Sequence, residues 1–239
     1  MAGDDDAREA ARQRTIADAC LLQSSAPTGR LQIYRRLVQT NLSAVARRLL
    51  PRTALVLDRH AGETFDTWFA RFLDEAGPRT PYLRDVPVEL VAWASPRWEA
   101  TPELPAFVAD LARHEVNLFL VESAPASPLE PLGEIALDRP LVFVSPHTLA
   151  HYDHAVETLS EPLPRRPTTV LIHRDAESTV HTTVVARANA ELLALLLAGA
   201  ALARALEQVG LASTDDLAAA AAWLAELGES GALLGGRSG

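Results

Sequence analysis

The 239-residue sequence contains no lysine; all 22 of its basic residues are arginine, the bias of a GC-rich coding sequence. It has one cysteine, Cys20, which excludes an intramolecular disulfide and fits a reducing compartment. No run of 18 apolar residues occurs, so no transmembrane helix is expected. The opening "MAGDDDAREA" is acidic where a signal peptide is basic and then apolar, and a cytoplasmic location is expected. Also missing are G-x-S-x-G, G-x-G-x-x-G and a Walker loop. Cys20 has no histidine near it in sequence, and "HEV" (His114, Glu115) lacks the second histidine of a zincin. With no assembled nucleophile, base and oxyanion site, the expectation is a non-catalytic chain without a cofactor of its own. Basic charge is scarce where a nucleic acid would need it. Residues 128–239 hold 7 arginines against 14 acidic residues, a net of −7. Such a surface repels a phosphate backbone.

What is present is helical periodicity, then a hairpin. "RLQIYRRLVQTNLSAVARRLL" places Leu31, Tyr34, Leu37, Val38, Leu42, Val45 and Leu49 at three-to-four spacing, and Pro51 interrupts the run. "ETFDTWFARFLDEAG" repeats the pattern, with Gly77 as a helix stop. "LPAFVADLARHEVNLFLVES" adds Phe107, Val108, Leu111, Leu118 and Val121. Five or so amphipathic helices make residues 1–124 an all-α domain. The Pro-rich "SAPASPLEPLG" suggests a linker over 125–140, and residues 141–239 form a second domain.

In that second domain "LVFV" (141–144) is a short apolar run, and a helix is expected to open at Ser145-Pro146. "TTVLIHRDAESTVHTTVV" (168–185) reads as two strands about a polar turn. Three helices follow. Asn189 is expected to cap the first and Gly199 to end it; the second runs to Gly210; Ser213 or Thr214 caps the third and Gly228 closes it. "LLGGRSG" reads as a frayed tail. A hairpin with three short helices describes a winged-helix-like module, so the fold class is α+β.

Three candidate sites arise. In "HTLAHYDH" a helix would bring His147, His151 and His154 to one face beside Asp153, where a zinc or iron ion can be held. The competing reading is an interface helix, and no matching Cys or carboxylate motif exists elsewhere, so no metal is assigned. DNA binding by the third helix is opposed by Asp215, Asp216, Glu226 and Glu229 without one arginine. Finally, the outer strand can pair an extended peptide through Val180, His181, Thr182, Thr183, Val184 and Val185, with Leu217, Ala221 and Leu224 walling a groove for its side chains. A proline at Thr183 tests this if that N–H faces outward. The hairpin can equally be covered by its own chain, and the sequence leaves both open.

Taken together, "LQIYRRLVQTNLSAVARRLLP", "FDTWFARFLDEAGPRTPYLRDVPVELVAWA" and "LPAFVADLARHEVNLFLVE" resemble the N-terminal domain of HvfC/BufC-type proteins. Tyr34, Asn41, Pro51, "PRTPYL" and "DLARHE" carry the likeness. The tail from "TTVLIHRD" through "LARAL" is similar to their C-terminal domain, which resembles peptide-recognition elements of ribosomal-peptide (RiPP) pathways. The chain departs from the family at Leu50, at "LARHEV" and at "HTLAHYDH". The resemblance implies an accessory protein that binds the leader of a ribosomal precursor peptide and presents it to a separate TIM-barrel, multinuclear non-haem iron oxidative (MNIO) enzyme, which holds the iron. It would then form a heterodimer, with His147, His151, His154 and Arg174 as candidate interface residues. The alternative is an acidic winged-helix DNA-binding regulator.

Overall fold

The computed structural model describes residues 29–60, 62–125 and 132–238. Cys20 lies outside them. The chain divides into two compact units, Met1–Val116 and Asn117–Gly239. The architecture is α+β: among the described residues there are eight α-helices and two three-stranded antiparallel sheets. The division falls inside a helix, upstream of the proline-rich stretch that suggests a linker.

The first unit is helical: α1 (Arg30–Leu49), α2 (Pro51–Arg59), α3 (Phe65–Glu75), α4 (Val86–Glu99) and the first half of α5 (Val108–Ser123). Pro51 ends one helix and starts the next, because its ring suits the first helical position and lacks only an N–H that would be unpaired there. Thr64 caps α3 by accepting the Thr67 N–H, and Gly77, at φ 63°, closes it through a bond to the Phe72 carbonyl at 2.8 Å. The buried face is aromatic, as its spacing predicts. Phe65, Trp68, Phe69, Phe72 and Leu73 are all buried, with Trp68 edge-on to Trp93 and Trp98 at centroid distances of 6.2 and 6.1 Å. Arg47 binds Asp58 at 2.6 Å and Asp66 at 2.9 Å, tying α1 to α2 and α3. The guanidinium holds both carboxyls below the usual carboxylate range.

One buried polar contact organises the α2 terminus. The Glu115 carboxylate on α5 accepts the Arg52 N–H at 2.8 Å, the Thr53 N–H at 3.1 Å and the Thr53 hydroxyl at 2.6 Å. An acid there occupies the positive end of the helix and satisfies N–H groups with no partner within it. Burial pushes the Glu115 carboxyl up, against those three donors.

Its neighbour His114 is also buried, and burial lowers its pKa to about 4. The folded unit therefore holds this imidazole neutral, whereas the unfolded chain takes a proton below its ordinary value of about 6.5. The sign follows from this linkage: the stability is present above pH 6.5 and is lost as pH falls toward 4, by about 3 kcal/mol from this group. Glu115, with its carboxyl raised, works in the opposite direction. Urea midpoints followed by tryptophan fluorescence between pH 7 and pH 4 are expected to drop in the native chain and to drop much less in His114→Gln.

The second unit begins within α5 and contains the six strands found among the described residues: β1 (Leu132–Gly133), β2 (Leu141–Phe143), β3 (His147–Tyr152), β4 (Thr168–Arg174), β5 (Val180–Val185) and β6 (Leu233–Arg237). Between β5 and β6 lie α6 (Arg187–Leu197), α7 (Leu202–Gln208) and α8 (Thr214–Glu229). One sheet has the order β1-β6-β2, the other β3-β4-β5. Leu171, Val185, Leu192, Leu193, Leu196, Leu206, Leu224, Leu227 and Leu233 form one apolar core from the sheets and helices.

Several expectations are corrected here. The segment after Ser145-Pro146 is a strand and not a helix: His147–Tyr152 runs antiparallel to β4 in continuous register, so tertiary pairing overrides the helical spacing. Asn189 does not cap α6; the N-cap is Ala186, and Asn189 sits inside the first turn. Ser213 does cap α8, in a reciprocal capping box with Asp216. The helix runs past Gly228 to Glu229, and the glycine that turns the chain is Gly231, at φ 74°. The "frayed" tail is β6, the middle strand of its sheet. Within the expected linker, Leu132–Gly133 pairs with β6, and the Leu137 and Arg139 carbonyls accept from Ala203 and Leu202. Residues 126–131 of that stretch lie outside the described residues.

Candidate functional site

The sheet β3-β4-β5 collects most of the residues singled out in the sequence. Its hairpin closes on Asp175, whose carbonyl and Oδ1 accept the N–H groups of Ser178 (3.1 Å) and Thr179 (2.8 Å), while Ser178 adopts φ 68°. An Asp at a turn start is suited to this because its short side chain bonds the backbone ahead of it.

The register fixes which main-chain groups point outward. Arg174 donates its N–H to the Pro146 carbonyl on the β3 side, and Asp175 donates to Thr179 on the β5 side. Alternation then turns His181, Thr183 and Val185 toward β4, and turns the N–H and C=O groups of Val180, Thr182 and Val184 away from it. Among the described residues β5 pairs with β4 alone, so this outward row is an unpaired edge. Thr182 and Val184 are exposed, whereas Val185 is buried in the core.

The register also assembles a row of histidines that neighbouring positions in sequence do not reveal. His147 on β3 lies opposite His173 on β4, and His173 lies opposite His181 on β5. The His173 and His181 rings stack with centroids 5.1 Å apart. His173 is fully buried; its Nε2 bonds the Ser230 carbonyl at the end of α8 at 3.0 Å, and burial lowers its pKa. His181 Nε2 bonds Asp175 Oδ2 at 2.5 Å and holds that carboxyl below its usual range. The signal was the hairpin's own symmetry: His173 and His181 are equidistant from Glu177, so closing the turn pairs them.

The expected triad of His147, His151 and His154 is not brought together. His147 and His151 are four residues apart along an extended strand, about 13 Å, and His154 lies beyond its end. Their bonds are local: His147 Nδ1 meets the Val144 carbonyl at 2.6 Å, and His151 Nδ1 meets the Thr169 hydroxyl at 2.8 Å. Among the described residues no group of three His, Cys, Asp or Glu side chains is placed to hold a metal ion. Arg174 is engaged at the end of α5, donating to the main-chain carbonyls of Glu122 and Ala124, where a cation complements the negative end of the helix.

The expected groove also separates into two places. Leu217, Ala221 and Leu224 lie on one face of α8 and line an apolar cavity of about 750 Å³ with Ile135, Leu137, Leu202, Leu206 and Leu233. No residue of β5 lines it. The backbone edge and the apolar wall thus belong to different parts of the second unit.

No protein-family model matches the chain, and no curated protein matches it either. Among the described residues no helix is long and apolar enough to cross a membrane.

Proposed function

We propose that the chain is a non-catalytic peptide-recognition partner: it takes up an extended leader segment of a ribosomal precursor peptide as a fourth strand on β5 and presents that peptide to a separate iron-dependent oxidative enzyme. The observation that carries the reading is the outward row at Val180, Thr182 and Val184, three successive outward positions whose N–H and C=O groups meet no strand among the described residues. A guest strand gains its affinity from such groups. The order of elements agrees with a winged-helix-like recognition module, since a three-stranded sheet is followed by α6, α7 and α8. The turn clasp of Asp175 on Thr179 and His181 supports it too. A pre-formed edge costs a guest less ordering than a loose one. Tethering the leader would make the meeting of the core peptide and the iron site intramolecular, the contribution expected of an accessory chain. DNA recognition gains nothing from α8, which carries four acids and no arginine.

The test is a pair of prolines, read by calorimetric titration with leader peptides synthesised from short reading frames beside this chain's gene. Thr182→Pro removes an outward N–H and is tolerated at a sheet edge, so it should keep the fold and weaken binding at least tenfold. Thr183→Pro removes an inward ladder bond and is expected to lower the melting temperature of the second unit. Wild-type affinity in folded Thr182→Pro would refute strand addition at β5.

A further inference from the structure

The outward face of α1 has a composition unlike that of an ordinary solvated helix. From Ala19 to Leu57 the sequence contains no Asp or Glu and six arginines, in a chain whose formal net charge is −9. Five of those arginines fall within α1. Its buried residues, Leu42 and Ala46, mark the face turned into the unit. Helical spacing places Ile33, Leu37, Ala44 and Arg48 on the opposite side, with Arg30 and Tyr34 beside them and Arg36 at the margin. All of these are exposed, Ile33 at 73 %, Leu37 at 55 % and Tyr34 at 53 %. Arg47 is held by Asp58 and Asp66, but Arg30, Arg36 and Arg48 form no ion pair among the described residues. Scattered exposed apolar residues are ordinary; three together, ringed by unneutralised arginines, are not.

We infer that this face of α1 docks an acidic protein, one that offers apolar side chains to Ile33, Tyr34 and Leu37 and carboxylates to Arg30, Arg36 and Arg48. The composition is that of an interface, where Tyr and Arg are enriched around an apolar centre. Opposite charge at the rim steers the encounter, and the apolar centre slows dissociation. A phosphate backbone would leave Ile33 and Leu37 without partners, since nothing in it is apolar. An anionic bilayer would be repelled by the net charge of −9, and the other side of α1 is already committed to the unit's own core. This inference concerns the first unit and is independent of the peptide reading for β5.

The experiment uses the full chain and four probes at low and physiological salt. They are a labelled helical peptide with leucines on one face and glutamates on the other, its counterpart with lysine for glutamate, vesicles containing phosphatidylglycerol, and a short DNA duplex. The acidic peptide is expected to bind, more weakly as salt rises, and the other three are not. Leu37→Asp should weaken it at least tenfold through faster dissociation. Arg36→Glu should weaken it severalfold through slower association. Both substitutions are at exposed positions, and unchanged thermal unfolding certifies the fold. No binding of the acidic peptide at about 1 mM, equal binding of the basic one, preference for vesicles or DNA, indifference to both substitutions, or self-association through α1 would each overturn it.

Discussion

Glu115→Ala is expected to cost the first unit about 3–5 kcal/mol, the largest loss of any polar substitution there. The reason is geometry, not charge alone. Thr53 is fully buried, Glu115 is 6 % exposed, and a single carboxylate accepts the main-chain N–H groups of Arg52 and Thr53 together with the Thr53 hydroxyl. Removing it leaves the start of α2 without its acceptor and opens a cavity beside it. Glu115→Gln keeps one acceptor oxygen and the volume, and should lose about half as much. Urea unfolding followed by tryptophan fluorescence reads this unit chiefly, because Trp68, Trp93 and Trp98 lie in it and only Trp223 lies in the other. A midpoint for Glu115→Ala within error of the native chain would mean that the contact contributes nothing.

The second large effect belongs to Gly236. A methyl group at that position would stand 2.2 Å from the Glu134 carbonyl oxygen and 2.9 Å from its carbon. Those are main-chain atoms, so relief requires separating β1 from β6 rather than turning a side chain. Because β6 is the central strand of its sheet, Gly236→Ala should cost about 3 kcal/mol or more. Gly228→Ala is the control. It lies inside α8, where its methyl group would meet the Leu233 carbonyl at an ordinary 3.9 Å, and it should be neutral or stabilising by up to about 1 kcal/mol. Amide exchange decides between them: the Val144 and Arg237 N–H groups, bonded to the Ala232 and Pro140 carbonyls, should lose protection in Gly236→Ala alone.

The helices and the hairpin were legible in the sequence because their signals are local. Phe65, Trp68, Phe69 and Phe72 repeat at helical spacing, Ser213 and Asp216 form a cap within one turn, and the β-branched and apolar runs Val170–Ile172 and Val180–Val185 flank an Asp-led turn. What escaped was set by distant partners. His147 to Tyr152 has a spacing that fits a helix as well as a strand, and only pairing with Thr168–Arg174 decides between them. Leu233–Arg237 carries two glycines and looks structureless until Leu132 and Leu141 are placed beside it. Apolar spacing also overstated the buried stripe of α1, since Tyr34 and Leu37 face solvent. At the candidate site, the pairing of β4 with β5 followed from the hairpin, whereas the outer position of β5 rests on β3 lying along the far side of β4. The direction of each N–H did not, and Thr183, an obvious choice for a proline test, points inward.

An unpaired strand that welcomes a guest does not discriminate by itself between a guest and its own kind. Sheet proteins commonly blunt such borders with lysine, and this chain has none; Val180–Val185 contains no Asp, Glu or Arg either. The side-by-side stacking of two hairpins is therefore a standing hazard, and a protein built this way is safest when scarce or continuously occupied.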